Sequence, residues 1–131
     1  MYPAGYRYTK EHEWIDVTDG VGTIGITDHA QQELGDVVFV EMPKIGAQLK
    51  AGESLGSIES VKAVSDIYAP VSGEVIETNA TLTDSPEKVN KDPHGGAWLV
   101  RVRLSDTKEI DGLMDAAAYA AYVAEAAGAA H

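Results

Sequence analysis

Residues 54–76 read SLGSIESVKAVSDIYAPVSGEVI. Two runs rich in Ile, Val and Ser flank Lys62, and Pro70 with Ser72-Gly73 punctuates a second turn. Short β-branched runs broken by turn residues predict successive short strands. Lys62 then falls at a hairpin tip between Val61 and Ala63, its ammonium held out where a modifying enzyme reaches it. A lone lysine at a turn, taken without further context, reads as a solvated surface charge.

Upstream, WIDVTDGVGTIGI from Trp14 to Ile26 places apolar residues on two runs around Asp19-Gly20. Both turn residues tolerate positive φ, so a tight type I′ hairpin is predicted. Gly20, Gly22 and Gly25 have the G-x-G-x-x-G spacing, but no strand-helix-strand unit surrounds them, and a nucleotide site is set aside. Thr27 and Asp28 offer an N-cap, Asp28 and Gln31 have capping-box spacing, and Gly35 supplies a left-handed stop, predicting a helix of about two turns. A strand over 36–42 closes at Pro43, and Gly46, Gly52 and Gly56 punctuate further short strands.

Downstream, Thr81 to Gly96 is polar, with Pro86, Pro93 and Gly95-Gly96, and reads as an extended surface loop. Trp98, Val100, Val102 and Leu104 alternate with Leu99, Arg101 and Arg103 as one strand. Asp115 caps a C-terminal helix over about 115–128, where Tyr119, Tyr122, Val123 and Ala126 recur at helical spacing and Met114 can staple onto Tyr119. Many short strands and few helices predict a mainly β protein, a small antiparallel sandwich or flattened barrel forming one domain over residues 1–131.

Composition limits the function. With 44% hydrophobic and 24% charged residues the chain has globular composition. No apolar run is long enough to span a membrane, and the N-terminal stretch lacks the basic flank and apolar run of a secretory signal, so the expectation is a soluble cytoplasmic protein. The formal charge of -11 repels nucleic acid and anionic lipid, and favours a soluble monomer steered toward basic patches on partners. No cysteine is present, so any thiol chemistry has to be brought in. The histidines, His12, His29, His94 and His131, show no zinc-site spacing, and no metal site is expected. A Walker loop and a G-x-S-x-G elbow are absent, leaving a Ser-His-Asp hydrolase assembled from distant residues as the enzyme-class rival.

ESVKA at Glu59–Ala63, followed by Ser65-Asp66 and APVSG at Ala69–Gly73, resembles the lipoyl-lysine hairpin of lipoate carriers. Biotin carriers usually set their lysine between methionines. YTKEHEW at Tyr8–Trp14, GITDHAQQELGDVVFV at Gly25–Val40 and VNKDPHGGAW at Val89–Trp98 extend the likeness, and the four blocks together resemble the H protein family of the glycine cleavage system over most of residues 8–104.

This resemblance implies the lipoyl-domain (barrel-sandwich hybrid) fold and a carrier with no turnover of its own, with lipoate amide-linked to Lys62. It implies a lipoate ligase or lipoyl transferase to attach the group, and three enzyme partners. A glycine decarboxylase (P protein) loads an aminomethyl group, an aminomethyltransferase (T protein) passes the one-carbon unit to tetrahydrofolate, and a dihydrolipoyl dehydrogenase (L protein) restores the disulfide. Glu59, Ser60, Val61 and Ala63 become the residues by which the hairpin is read. Glu13, Asp66 and Glu33 become candidates to line a cleft sheltering the loaded arm, with Glu33 also readable as an ordinary surface acid. His29 reads as structural, and His94 stands where relatives often have an aromatic. A bacterial cytoplasmic protein is implied, or a mitochondrial one if a transit peptide has been removed. The alternatives are an H-like relay donating lipoyl groups to other carriers, and a lipoyl or biotinyl domain of another complex.

Overall fold

The dipeptide Asp19-Gly20 turns the chain as its residue types dictate, with φ of +52° and +78°. In the computed structural model, which describes residues 2–129 and side chains as far as 125, this turn joins β2 (Glu13–Thr18) to β3 (Val21–Ile26), and β1 (Arg7–Tyr8) pairs with the far edge of β2. The other strands are β4 (Val37–Glu41), β5 (Gln48–Leu49), β6 (Ser54–Ser60), β7 (Val64–Tyr68), β8 (Gly73–Thr78) and β9 (Val100–Leu104). They form two open sheets, six-stranded β1-β2-β3-β9-β8-β5 and three-stranded β4-β6-β7, antiparallel throughout. Ile15, Ile24, Val75, Val100 and Val102 from the first sheet meet Val40, Ile58 and Ile67 from the second in one buried core. The expected β sandwich is therefore present, with unclosed sheets.

The glycines that mimic a nucleotide motif have a packing reason. A Cβ on Gly25 would stand 2.7 Å from the Trp14 indole directly across the ladder, and one on Gly22 would stand 2.6 Å from Ile15. Bare backbone at these two places seats the large side chains of the neighbouring strand.

Helix α1 (Asp28–Leu34) starts at Thr27, whose hydroxyl accepts from the Ala30 N–H at 3.2 Å. Asp28 is thus the first helical residue, and its pairing with Gln31 is a side-chain hydrogen bond of 2.8 Å instead of a capping box. Gly35 ends the helix at φ +78° but ψ -157°, so φ is positive as expected while ψ is not that of a left-handed helix.

The expected extended loop over 81–96 is corrected. It contains α2 (Thr81–Asp84) and α3 (Lys88–Lys91), single turns that bury Leu82 and Val89 completely. Four-residue helices are too short to show a 3.6-residue period, which is why the stretch reads as polar loop. A 3-10 turn follows β9 at Thr107–Gly112, and then α4 (Ala116–Ala129), capped by Asp115 accepting from Ala118 N–H at 2.8 Å.

Helix α4 closes a second, aromatic cluster. Tyr8, Trp14 and Tyr119 are buried there, with Tyr6, Met114, Tyr122 and Val123 packed against them. Tyr8 and Tyr119 stack at 4.8 Å, and the Trp14 indole N–H donates to Pro93 O at 2.8 Å. Ala126, the fourth residue of the predicted stripe, lies outside the described side chains, and His131 lies outside the described residues.

Gly25→Ala is expected to lower unfolding free energy by about 1–3 kcal/mol through overpacking against Trp14. Gly5→Ala, where an added Cβ meets nothing within 4 Å, should change it by less than about 0.5 kcal/mol. Urea unfolding of both variants checks the contrast.

Candidate functional site

Ser60 closes β6, and its backbone N–H donates to Ala63 O at 2.7 Å across the turn 60–63. Its buried hydroxyl donates to the same Ala63 carbonyl and accepts from the N–H groups of Lys62, at 3.3 Å, and Ala63, at 3.1 Å. A short hydroxyl side chain can hold both sides of a turn in this way, which is why serine suits the position. Val61 N–H donates to Asp36 O at 3.0 Å, tying the tip to the start of β4. Lys62 is left exposed at this braced tip. Its aliphatic stem passes over Gly35, where a Cβ would stand 3.4 Å from Lys62 Cε.

The four residues expected to identify the hairpin thus divide. Glu59, Val61 and Ala63 are exposed, whereas Ser60 is buried and shapes the turn from within.

Beside the tip lies a cleft of about 330 Å3 between α1 and β7. Ile26, Ala30, Leu34 and Ile67 supply apolar lining, and Glu11, His12, Glu33, Ser65 and Asp66 supply polar lining. Of the three acids singled out in the sequence, Asp66 and Glu33 line this cleft and Glu13 does not. His12 lies in the turn just before β2 and lines the cleft, whereas Glu13, the first residue of β2, points away from it. Glu13 is fully buried behind the wall, where its carboxylate accepts from Thr9 Oγ1 at 2.6 Å and from the Tyr68 N–H at 3.3 Å. Burial pushes its pKa from 4.5 up to about 7, against the lowering effect of those two hydrogen bonds.

Sequence reading missed Glu11 and His12 as cleft residues. His12 takes φ +70° in the turn between β1 and β2. It is pinned there by its N–H donating to Thr9 O at 3.1 Å and its carbonyl accepting from Thr27 N–H at 3.0 Å. Nothing in the EHE triplet marks that conformation; the one available signal is adjacency to Glu13. His29, read as structural, pairs with Glu33 at 3.0 Å one helical turn on. His94 accepts from the Asp28 N–H through Nε2 at 3.0 Å, satisfying a donor of the first turn of α1, while its ring meets Tyr2 edge-on at 5.7 Å. Among the described residues no serine hydroxyl bonds to a histidine, so a Ser-His-Asp arrangement has no geometric support.

Fold and site together define a small two-sheet β module that presents one braced hairpin lysine beside a partly apolar cleft. Family comparison makes this specific. The model of the family "Glycine cleavage H-protein" matches residues 6–126, and the chain belongs to that family. It is 56% identical over 127 residues to the glycine cleavage system H protein of Acidobacterium capsulatum, covering 97% of this chain and 98% of that one. With the protein of the same name from Phenylobacterium zucineum the identity is 57% over 118 residues, covering 90% and 98%. The crystal structure of a glycine cleavage system H protein from Mycobacterium marinum superposes with a TM-score of 0.88 at 40% identity, covering 94% of this chain and 99% of that one.

Glu13 gives a pH test with a definite sign. Its folded pKa is raised, so its contribution to stability is fully present below the unfolded value near 4.5 and is lost as pH rises through about 7. Glu13→Gln, which keeps shape and removes the charge, should therefore gain stability relative to wild type between pH 5 and pH 8, by at most ~3 kcal/mol. Unfolding free energies measured across that range check it, and a difference independent of pH would refute the buried charge.

Proposed function

We propose that Lys62 is the residue through which this chain performs the work of its family, carrying a lipoyl group in the glycine cleavage system. The observation that carries the reading is the tip itself: an exposed lysine on a turn stiffened by Ser60 and anchored to Asp36, next to a cleft.

The residues present fit such a group. The ammonium of Lys62 is open to a lipoate ligase or lipoyl transferase, and the stem crosses Gly35 at the end of α1, one of the cleft's walls. The apolar surface of Ile26, Leu34 and Ile67 suits an aliphatic chain, and the carboxylates of Asp66 and Glu33 on the rim suit a cationic amine by charge-assisted hydrogen bonding. When attached, the lipoyl dithiol supplies the sulfur chemistry that a chain without cysteine lacks. Amide formation makes the chain one unit more negative and replaces a hydrated ammonium with an apolar arm.

Residues 1–131 act as one carrier domain, without turnover of its own, that visits the glycine decarboxylase, the aminomethyltransferase and the dihydrolipoyl dehydrogenase. The exposed Glu59, Val61 and Ala63 meet the enzymes, and Ser60 sets the shape they meet. Glu13 acts from behind the cleft, holding the Tyr68 backbone next to Ile67 in place. A cytoplasmic setting fits the bacterial relatives; among the described residues no helix is long and apolar enough to cross a membrane.

Incubation with a lipoate ligase, ATP and lipoate should raise the intact mass by one lipoyl group, and Lys62→Ala should abolish the gain. An unmodified wild-type chain would sink the assignment. Bicarbonate exchange dependent on glycine decarboxylase then separates glycine cleavage from a lipoate relay, since a relay supports none.

A further inference from the structure

We propose that His12, His29 and Glu33 form a binding site for a zinc-like divalent transition metal on the wall of the cleft. His29 and Glu33 stand one turn apart on α1 and so share a face, with Nε2 and Oε1 3.0 Å apart. His12 reaches them from a different element, its ring centroid 4.6 Å from that of His29. One donor atom from each of the three lies within 4.8 Å of the others. Zinc bonds nitrogen and oxygen at about 2.0–2.1 Å in tetrahedral geometry, which sets ligand atoms roughly 3.3 Å apart. The His29–Glu33 pair already has nearly this separation, and the exposed Glu33 carboxylate is free to rotate the remaining distance. Two imidazoles and a carboxylate select zinc, cobalt or nickel over magnesium and calcium, which prefer oxygen alone.

The surroundings of His12 are those a ligand histidine needs. Its Nδ1 is 2.7 Å from the hydroxyl of the buried Tyr119, which is in turn 2.7 Å from Thr27 Oγ1. Either oxygen of the Tyr119–Thr27 pair can donate; when the phenol donates to Thr27, its oxygen accepts the Nδ1–H of His12, and that tautomer leaves the Nε2 lone pair for a metal. Three protein donors leave a fourth position for water or another ligand. A metal here would narrow the cleft proposed for the arm. That consequence rests on the carrier reading, whereas the site itself is independent of Lys62.

The test therefore uses the full, unlipoylated chain. Zinc titration by calorimetry should show one saturable site, and cobalt should give the visible absorption of tetrahedral coordination. His29→Ala and Glu33→Gln alter partly exposed side chains, and with thermal unfolding confirming their fold they should each weaken zinc binding by at least ~10-fold. Tyr119→Phe should weaken it by about 10-fold by removing the partner of His12 Nδ1. His131→Ala should leave it unchanged. Wild-type-like affinity in both the His29 and Glu33 variants, loss confined to His131→Ala, or no saturable binding to the wild type would each overturn the proposal.

Discussion

The side chain of Asn90 holds the corner on which the site is built. Its Oδ1 accepts from Val37 N–H at 2.9 Å, and its Nδ2 donates to Gly35 O at 2.7 Å and to Gln31 Oε1 at 3.1 Å. Between those two clamped residues, Asp36 O receives the Val61 N–H of the hairpin tip. One amide side chain thereby fixes the end of α1, the start of β4 and, through a single intervening peptide, the turn that carries Lys62. A neutral amide suits the task because it donates and accepts at once, whereas aspartate only accepts. Val89, buried completely beside Asn90, anchors the short helix that delivers the amide.

This arrangement explains which parts of the sequence were legible. Features encoded by adjacent residues read correctly: Asp19-Gly20 as a tight turn, Thr27 and Asp115 as caps, the hairpin about Lys62, the alternation along β9. Each is a local rule satisfied by two to six neighbours. Asn90 obeys no local rule, since its partners lie more than fifty residues away and within the sequence it is one polar residue among many. The same holds for His94, which completes the first turn of a helix sixty-six residues earlier. Most polar side chains of 81–96 are exposed as their character implies, and the half-buried Asn90 and His94 do not stand out among them because satisfied polar groups and solvated ones look alike in a sequence.

The candidate site divides in the same way. Lys62 was legible because a motif of consecutive residues surrounds it and a lysine at a tip needs no distant partner. The cleft was legible only in part, since its walls come from the turn before β2, from α1 and from β7. Glu33 and Asp66 came through by resemblance, but the choice between His12 and Glu13 depends on a backbone angle of +70° that no residue type there announces. The structure gives the two neighbours opposite roles, His12 on the wall and Glu13 behind it, braced against the backbone of Tyr68.

Charge and apolar surface act at different ranges around the tip. The net charge of -11 shapes approach over roughly a Debye length, about 8 Å at physiological ionic strength. Close to Lys62 the surface is different: Val61 and Val64 are about 70% and 67% exposed, and a register shift between Val37 and Phe39 turns both Val38 and Phe39 outward on the adjoining strand. The acidic body would, under the carrier reading, sort partners by charge at a distance, and apolar contact would take over once the tip is engaged. Under the carrier reading, the same corner holds both the surface an enzyme would touch and the cleft into which the arm would fold. The arm occupies one or the other, so the balance between sheltering and delivery is set where α1, β4 and the hairpin meet, at the peptides that Asn90 and Asp36 hold together.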